Sequence, residues 1–205
     1  MEKDFYLKGE ERFGPLSSRL YSVFAVKGLA GMYSLAINDI TQKGAGRILE
    51  VGAGPGDLAV KLAERMPESE VYCVDPSKTM RNIGLKKIKE RGLNNMKYFL
   101  GSSRNVPLKL KFDVIFSTLS FHHWKEKSNS LSYLAKLLKP NGSILIYEYN
   151  KDKLKTLPKL FMGAHALSRS DVEKLRISPS YAIKTFAKGD LIVLRIRRKA
   201  RRHYR

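Results

Sequence analysis

The sequence predicts a doubly wound α/β domain on a seven-stranded, mostly parallel sheet that ends in an antiparallel C-terminal hairpin. Three observations support this prediction. Short apolar runs alternate with segments of helical spacing from Arg47 onward, these runs are continuously apolar, and two further runs close the chain across a short polar turn. Continuously apolar strands are typical of a sheet covered by helices on both faces. With 205 residues and 43% hydrophobic content, the chain can bury one core.

The elements follow in order along the chain. Residues 16–41 have helical spacing and predict one long helix or two helices broken at Gly28 and Gly31. Five strand-like runs come next, at 47–51, 70–74, 96–100, 112–116 and 143–147. Helices are predicted between them, at 57–66, 77–91 and 125–139. Pro140-Asn141-Gly142 is expected to stop the last helix.

The C-terminal runs, 181–187 and 191–197, are joined across Lys188-Gly189-Asp190 and predict the hairpin. We therefore divide the chain into a helical N-terminal segment (1–43), the α/β domain (44–197) and a basic tail (198–205).

A glycine-rich turn carries the strongest local signal. The run ILEVGAGPGDLAVKLAERM takes a predicted strand through Gly52, Gly54 and Gly56 into a helix, and Asp75 ends the next strand. Glycines there let the backbone approach a ligand, and a carboxylate after the second strand can accept hydrogen bonds from both ribose hydroxyls. The nicotinamide fingerprint needs a third glycine where this chain has Asp57, and Glu50 would repel a pyrophosphate. The pattern favours a nucleoside that carries an amino-acid group.

The composition restricts the kinds of metal site, cellular location and charged partner that we expect. A single cysteine, Cys73, excludes a disulfide framework and a cysteine zinc site, and no histidine pair has metal-ligand spacing, so we expect no metal. The charged N-terminus lacks the pattern of a signal peptide, Lys27 interrupts the most apolar stretch, and we expect a cytoplasmic protein without a transmembrane segment. The net charge of +20 is concentrated in residues 151–205, which carry +12. Such a region can bind RNA phosphates or an anionic membrane, or simply be solvated.

The segment from Glu50 to Gly56, followed by Asp75, resembles motifs I and II of the class I S-adenosylmethionine-dependent methyltransferases. It is most similar to the small methyltransferase-domain group that includes the ubiquinone/menaquinone-biosynthesis enzymes. The resemblance covers residues 45–150 and implies a Rossmann-like sheet of order 3-2-1-4-5-7-6 with strand seven antiparallel. It also implies an N-terminal lid over the cofactor, with Tyr21 and Tyr33 near the acceptor pocket.

The resemblance assigns roles by position. Glu50 and the backbone of Gly52, Gly54 and Gly56 would face the methionine part of S-adenosylmethionine, and Asp75 would hold the ribose. Pro76, Met80, Ser102, Ser103 and Ser117 complete the expected cofactor site. Ser77 is expected to cap the following helix. Ser102 stands where the family usually has an aspartate that accepts from the adenine amino group, and a serine hydroxyl accepts that bond more weakly.

Candidates for proton transfer follow strands four and five. His122, His123 and Glu148 are the predicted catalytic residues, although adjacent histidines point in different directions and a histidine pair here often only shapes the loop. The segment from Ser117 to Ser120 lacks the motif of enzymes that methylate base amines, and Cys73 lies in a strand, away from the acceptor loop.

We predict methyl transfer to a small-molecule acceptor, with S-adenosylhomocysteine as the product. The alternatives are an RNA methyltransferase that uses the basic C-terminal region, and a binding protein that keeps the cofactor site without catalysis. A nicotinamide oxidoreductase ranks last because of the glycine spacing. The sequence does not indicate an oligomeric state.

Overall fold

The computed structural model describes residues 5–6, 26–154 and 166–200. Five α-helices lie in these ranges: α1 (Val26–Thr41), α2 (Asp57–Arg65), α3 (Lys78–Arg91), α4 (Lys127–Ala135) and α5 (Arg169–Glu173). A short 3-10 helix spans Phe121–His123. The strands are β1 (Arg47–Val51), β2 (Glu70–Asp75), β3 (Met96–Leu100), β4 (Phe112–Thr118), β5 (Leu138–Asn150), β6 (Ala166–Leu167), β7 (Tyr181–Lys188) and β8 (Leu191–Arg198).

One sheet collects these strands in the order β3-β2-β1-β4-β5-β8-β7, and the two-residue β6 pairs with β5 beside this path. Strands β1 to β5 pair in parallel, whereas β8 pairs antiparallel with both β5 and β7. With β6 set aside, this is the predicted order, and the mostly parallel doubly wound fold is confirmed. The order reverses beside β1, so the carboxyl ends of β1 and β4 border a crevice where ligands bind in this class of sheet.

The sheet carries a separate apolar layer on each face. On one face α1 and α2 cover the sheet, and Met32, Ala36 and Ile40 of α1 are fully buried there. On the other face, α4 and the 3-10 helix contribute Leu131, Leu134 and Phe121. The buried strands are therefore apolar on both sides, as their continuous apolar runs predicted. Cys73 is also fully buried, and desolvation raises its pKa well above its ordinary value.

The structure decides one open prediction about helices and contradicts another. Helix α1 runs without a break through Gly28 and Gly31, because its buried stripe packs on the sheet and outweighs the weak helix preference of glycine. Helix α4 ends at Ala135, and Pro140-Asn141-Gly142 lies within β5 rather than at the end of the helix. The pairing of β4 with β5 shifts register between Phe112 and Val114, beside this segment, so the irregular residues are taken up by a bulge.

The C-terminal hairpin has the predicted position and is antiparallel, as expected. Lys188 pairs with Leu191, which leaves Gly189 and Asp190 as a two-residue turn. Gly189 has a φ of 56°, in the left-handed region that such turns require. Residues 16–25 of the predicted N-terminal helix and residues 201–205 of the basic tail lie outside the described residues, as does Tyr21.

Candidate active site

The glycine turn follows β1 and is tied to the end of β2. The backbone amides of Gly52 and Ala53 both donate to the Val74 carbonyl, at 2.9 and 3.2 Å. Gly52 has a φ of 71°, and a Cβ built on it would lie 1.9 Å from Ser120 Oγ. A side chain is thus excluded twice, by backbone conformation and by the loop that follows β4.

Asp75 holds the turn with both of its carboxylate oxygens. Oδ2 accepts from the Gly54 amide at 2.9 Å, and Oδ1 accepts from the Ser77 amide at 2.8 Å. The side chain is 8% exposed, and burial raises its pKa to about 6 although both amides favour the ionised form. Each oxygen retains a lone pair for a further donor, so this aspartate can hold the turn and a ribose together.

Tyr98 supports the turn from β3. Its hydroxyl donates to the Gly54 carbonyl, and its ring lies against Gly56 and Gly84. A Cβ at Gly84 would come within 2.4 Å of the Tyr98 ring, so this glycine of α3 makes room for the tyrosine. Neither residue stood out in the sequence, because a glycine in a helix and a tyrosine in a strand are individually unremarkable.

Glu50 is a buried carboxylate with one unpartnered oxygen. It is 2% exposed; Thr118 Oγ1 lies 3.5 Å from Oε1, and Oε2 has no hydrogen-bond partner among the described residues. Burial first, and the nearby Asp57 second, raise its pKa well above the ordinary value. A buried polar atom without a partner costs about 1–3 kcal/mol. An ammonium group placed here would satisfy Oε2 and favour the ionised carboxylate.

A small cavity lies beside the turn, with Asp75 in its wall. It is lined in part by Pro76, Ser102 and Ser103, which were predicted for the cofactor, and also by Tyr6, Arg104, Ser120, His123 and Trp124. Tyr6 comes from the N-terminal segment, whose Phe5 carbonyl accepts from Arg104 Nη2 at 3.2 Å. The cavity therefore lies between the carboxyl edge of the sheet and the start of the chain.

The remaining predicted cofactor residues differ in what their side chains do. Ser102 Oγ accepts from the Arg104 amide at 3.3 Å, and Ser103 Oγ is bonded to Ser130 Oγ of α4 at 2.9 Å. Ser117 is buried in β4, with no partner for its hydroxyl in the described part of the chain. Met80 is buried in α3, where its amide donates to Ser77 Oγ at 3.3 Å; this bond confirms Ser77 as the helix cap.

His122 and Glu148 form a buried pair. His122 Nδ1 lies 2.8 Å from Glu148 Oε2, and the His122 amide donates to Oε1 at 3.2 Å. The side chains are 4% and 0% exposed. A carboxylate oxygen this close to Nδ1 favours the tautomer that carries its proton on Nδ1. The sequence suggested both residues separately; the parallel register of β4 and β5 brings them together.

The two histidine rings stand side by side, with centroids 3.9 Å apart, and the two residues line different cavities. His123 lines the cavity that contains Asp75, whereas His122 lines a second cavity of about 580 Å³. Lys125, Lys127, Lys151 and Lys174 also line the second cavity, together with Glu126 and Asp171. Lys127 Nζ donates to the carbonyls of His122 and Trp124, at 3.0 and 2.7 Å, and so fixes the loop that carries both histidines.

Sequence comparison relates the glycine turn and its neighbouring strands to a known domain. Residues 48–142 match the family model described as "Methyltransferase domain". The chain is 32% identical over 118 residues to an uncharacterized methyltransferase of Staphylococcus carnosus. The aligned region covers 57% of this chain and 53% of that protein. It is 29% identical over 118 residues to the ubiquinone/menaquinone biosynthesis C-methyltransferase UbiE of Erwinia tasmaniensis, covering 56% of this chain and 47% of that protein. The chain thus aligns with about half the length of these curated relatives.

Comparison of folds agrees. The plantazolicin methyltransferase BpumL, solved with a monoazolic desmethylPZN analog and S-adenosylhomocysteine (SAH), superposes with a TM-score of 0.72 at 15% identity, over 90% of this chain and 91% of that one. At this identity the likeness concerns the fold. No helix among the described residues is long and apolar enough to cross a bilayer. The matched sequence, the strand order and the glycine turn together identify residues 48–142 as a class I, Rossmann-like, S-adenosylmethionine-dependent methyltransferase domain.

Proposed function

We propose that this protein is an S-adenosylmethionine-dependent methyltransferase that acts on a small-molecule acceptor. The observation that carries the proposal is the pair of buried carboxylates at the carboxyl ends of neighbouring strands. Glu50 near the end of β1 has an unpartnered oxygen for an ammonium group, and Asp75 at the end of β2 has free lone pairs beside a cavity. A dinucleotide would bring a pyrophosphate close to Glu50, which offers this carboxyl no cation to pair with and disfavours its ionisation further.

The residues of the site suit the parts of S-adenosylmethionine. Glu50 would bind the ammonium group, the amides of the glycine turn would face the amino-acid part, and Asp75 would accept from the ribose hydroxyls. Ser102, in the cavity wall, would accept from the adenine amino group. The cofactor supplies a methyl group already activated on a sulfonium, so the protein mainly has to align the acceptor and exclude water.

The His122–Glu148 pair would take the acceptor proton. Glu148 orients the imidazole and stabilises the imidazolium that forms when Nε2 accepts a proton, as a carboxylate does for a catalytic histidine. This arrangement suits an acceptor atom that carries a dissociable proton. The similarity to UbiE, named as a C-methyltransferase of ubiquinone/menaquinone biosynthesis, supports a small molecule with a carbon acceptor.

We place the acceptor in the second cavity, because His122 lines it and stands beside His123 of the cofactor cavity. The lysines of the second cavity then indicate a property of the acceptor. Four lysines and two carboxylates line it, and Asp171 is already engaged by the amide and hydroxyl of Ser168. The surplus of positive charge favours an acceptor that carries an acidic group. We also infer that the N-terminal segment closes the cofactor cavity, since Tyr6 lines it and Arg104 binds Phe5. A cytoplasmic location stays a prediction from the single cysteine.

Calorimetric titration with S-adenosylmethionine, SAH and NADH tests the cofactor. Binding of the two sulfur nucleosides without NADH would support the proposal, and binding of NADH alone would refute it. A coupled assay for SAH production, run with a library of acidic small molecules and with RNA, then separates the alternatives. Turnover only with RNA would make the protein an RNA methyltransferase, and tight cofactor binding without turnover on either acceptor class would favour a non-catalytic binding protein.

A further inference from the structure

The C-terminal hairpin presents one face on which cations surround an exposed aromatic ring. In the β7–β8 ladder, Phe186 lies opposite Val193, Lys184 opposite Arg195 and Ala182 opposite Arg197. Directly opposed residues point to the same side of a sheet, and alternate residues share that side. Because Val193 belongs to the apolar layer beneath α1, this side is the α1 face of the sheet. Beyond α1 it presents a surface, here called the hairpin face, that comprises Lys184, Phe186, Arg195 and Arg197.

Lys43, just after α1, extends the positive charge of the hairpin face. Burial, and then the charges of Arg197 and Arg195, lower its pKa to about 8. The nearby acidic group is Asp39, which acts in the opposite direction and also accepts from the Tyr147 hydroxyl at 3.2 Å. None of Lys43, Lys184, Arg195 and Arg197 forms a salt bridge within the described part of the chain. Their charge is therefore available to an anionic partner.

Phe186 is 43% exposed and is the exposed large hydrophobic residue of the described ranges. The Arg195 guanidinium carbon lies 5.2 Å from the centroid of its ring, a cation–π contact. Arg195 Nε is buried and donates no hydrogen bond to the described residues. Hydrophobic burial in the monomer therefore does not account for Phe186. An exposed ring with a guanidinium over it can extend its stack onto an unpaired base.

We propose that the hairpin face binds single-stranded nucleic acid. Unstacked bases have free π-faces for Phe186 and Arg195, and cations on alternate strand residues, about 6.7 Å apart, can follow a phosphate chain. A duplex keeps its bases stacked and would use only the cations. Docking on a membrane needs a larger apolar surface than one phenylalanine provides.

This function goes beyond methyl transfer because the hairpin face lies away from the proposed catalytic pair. Arg197 and Arg195 lie opposite Ser143 and Leu145 of β5, on the α1 side of the sheet. Glu148 lies opposite Ile192, which belongs to the apolar layer on the other side. A nucleic acid bound on the hairpin face would thus hold the protein on that molecule and would not be placed as the methyl acceptor. The inference does not depend on the identity of the acceptor.

Fluorescence anisotropy of labelled oligouridine and oligothymidine, each of about 12 nucleotides, tests the proposal across a salt series. We expect Phe186→Ala to weaken binding about fivefold or more, since base stacking is lost, and Phe186→Tyr to retain it. The double variant Lys184→Ala/Arg197→Ala should lower the slope of log K against log salt by about 1.4. The matched control Lys86→Ala/Lys89→Ala removes two exposed lysines of α3 and should change neither quantity. Relative affinity for the two oligomers identifies RNA or DNA as the favoured source.

Thermal unfolding of each variant separates misfolding from loss of binding. The proposal is overturned if the wild type binds neither oligomer or binds a duplex equally well. It is also overturned if a folded Phe186→Ala protein binds as the wild type does, or if the protein binds phosphatidylserine vesicles but no oligomer.

Discussion

Replacing Glu50 with glutamine tests the cofactor assignment most directly. The change keeps the size of the side chain and its place in β1 but removes the charge that would pair with the ammonium group of S-adenosylmethionine. Glu50 is 2% exposed and its Oε2 has no partner in the described residues, so such a pair would form away from water. The substitution should leave the fold intact, because burial already favours the uncharged acid at this position.

The size of the effect follows from the surroundings of Glu50. A hydrogen bond to a charged group contributes about 1.5–3 kcal/mol. Burial raises the pKa of the Glu50 carboxyl well above its ordinary value, so part of this free energy is needed to ionise it. We therefore expect the lower end of the range. A loss of about 1.5–2 kcal/mol corresponds to roughly 10- to 30-fold weaker binding.

Calorimetry with two ligands isolates the interaction. Methylthioadenosine shares the adenine and ribose of S-adenosylmethionine but lacks its ammonium and carboxylate groups. Glu50→Gln should weaken S-adenosylmethionine and leave methylthioadenosine within about twofold. In the wild type, affinity for S-adenosylmethionine should rise with pH as Glu50 ionises, and the variant should lack this rise. Glu68→Gln, an exposed glutamate, is the matched control.

Two results would refute the reasoning about Glu50. If the variant binds S-adenosylmethionine as tightly as the wild type, the carboxylate does not meet the ammonium group. If both ligands weaken equally, Glu50 acts by shaping the turn rather than by contacting the amino-acid part.

Three further predictions concern the turn, its aspartate and the catalytic pair. Gly52→Ala should lower the free energy of unfolding in urea by about 2–5 kcal/mol, because of the left-handed backbone and the clash with Ser120 Oγ. Adding Ser120→Gly should remove the clash but not the backbone strain. Wild-type stability of the single variant would contradict this prediction. Folding raises the pKa of Asp75 from 3.8 to about 6, so its contribution to stability is present below about pH 4 and is lost as the pH rises through 6. Asp75→Asn should lose less stability than the wild type across this pH window. An equal loss of stability in both proteins would count against this prediction. His122→Asn should reduce the rate of SAH production by about 10²–10⁴-fold, and Glu148→Gln should reduce it less. Cofactor affinity should be unchanged in both variants. Unaltered rates would show that the pair takes no part in the mechanism.

Local sequence predicted the parts of the fold that depend on local chemistry. The strand runs, the Ser77 cap and the hairpin connection across Lys188-Gly189-Asp190 all follow from residue type and spacing. What local sequence left open or predicted wrongly depends on tertiary packing. Gly28 and Gly31 do not break α1, because the buried residues of that helix hold it on the sheet.

The site shows the same division. The turn and Asp75 could be found from spacing, but their mutual hydrogen bonds could not. The pairing of His122 with Glu148 depends on strands 20 or more residues apart in sequence lying side by side, and the contact of Tyr98 with Gly54 joins residues separated by 44 positions. Tyr6 in the cavity wall is further still from Asp75 along the chain, and no local pattern indicates that contact.

The position of β8 determines when the sheet can be completed during synthesis of the chain. This strand, Leu191–Arg198, inserts between β5 and β7, so β5 lacks its partner on that side until residues 191–198 have left the ribosome. Ile144 and Ile146 of β5 are fully buried in the finished sheet and would until then belong to an open, aggregation-prone edge. Nascent chains that stall before residue 191 should therefore depend on chaperones, whereas chains released after β8 can close the sheet by themselves.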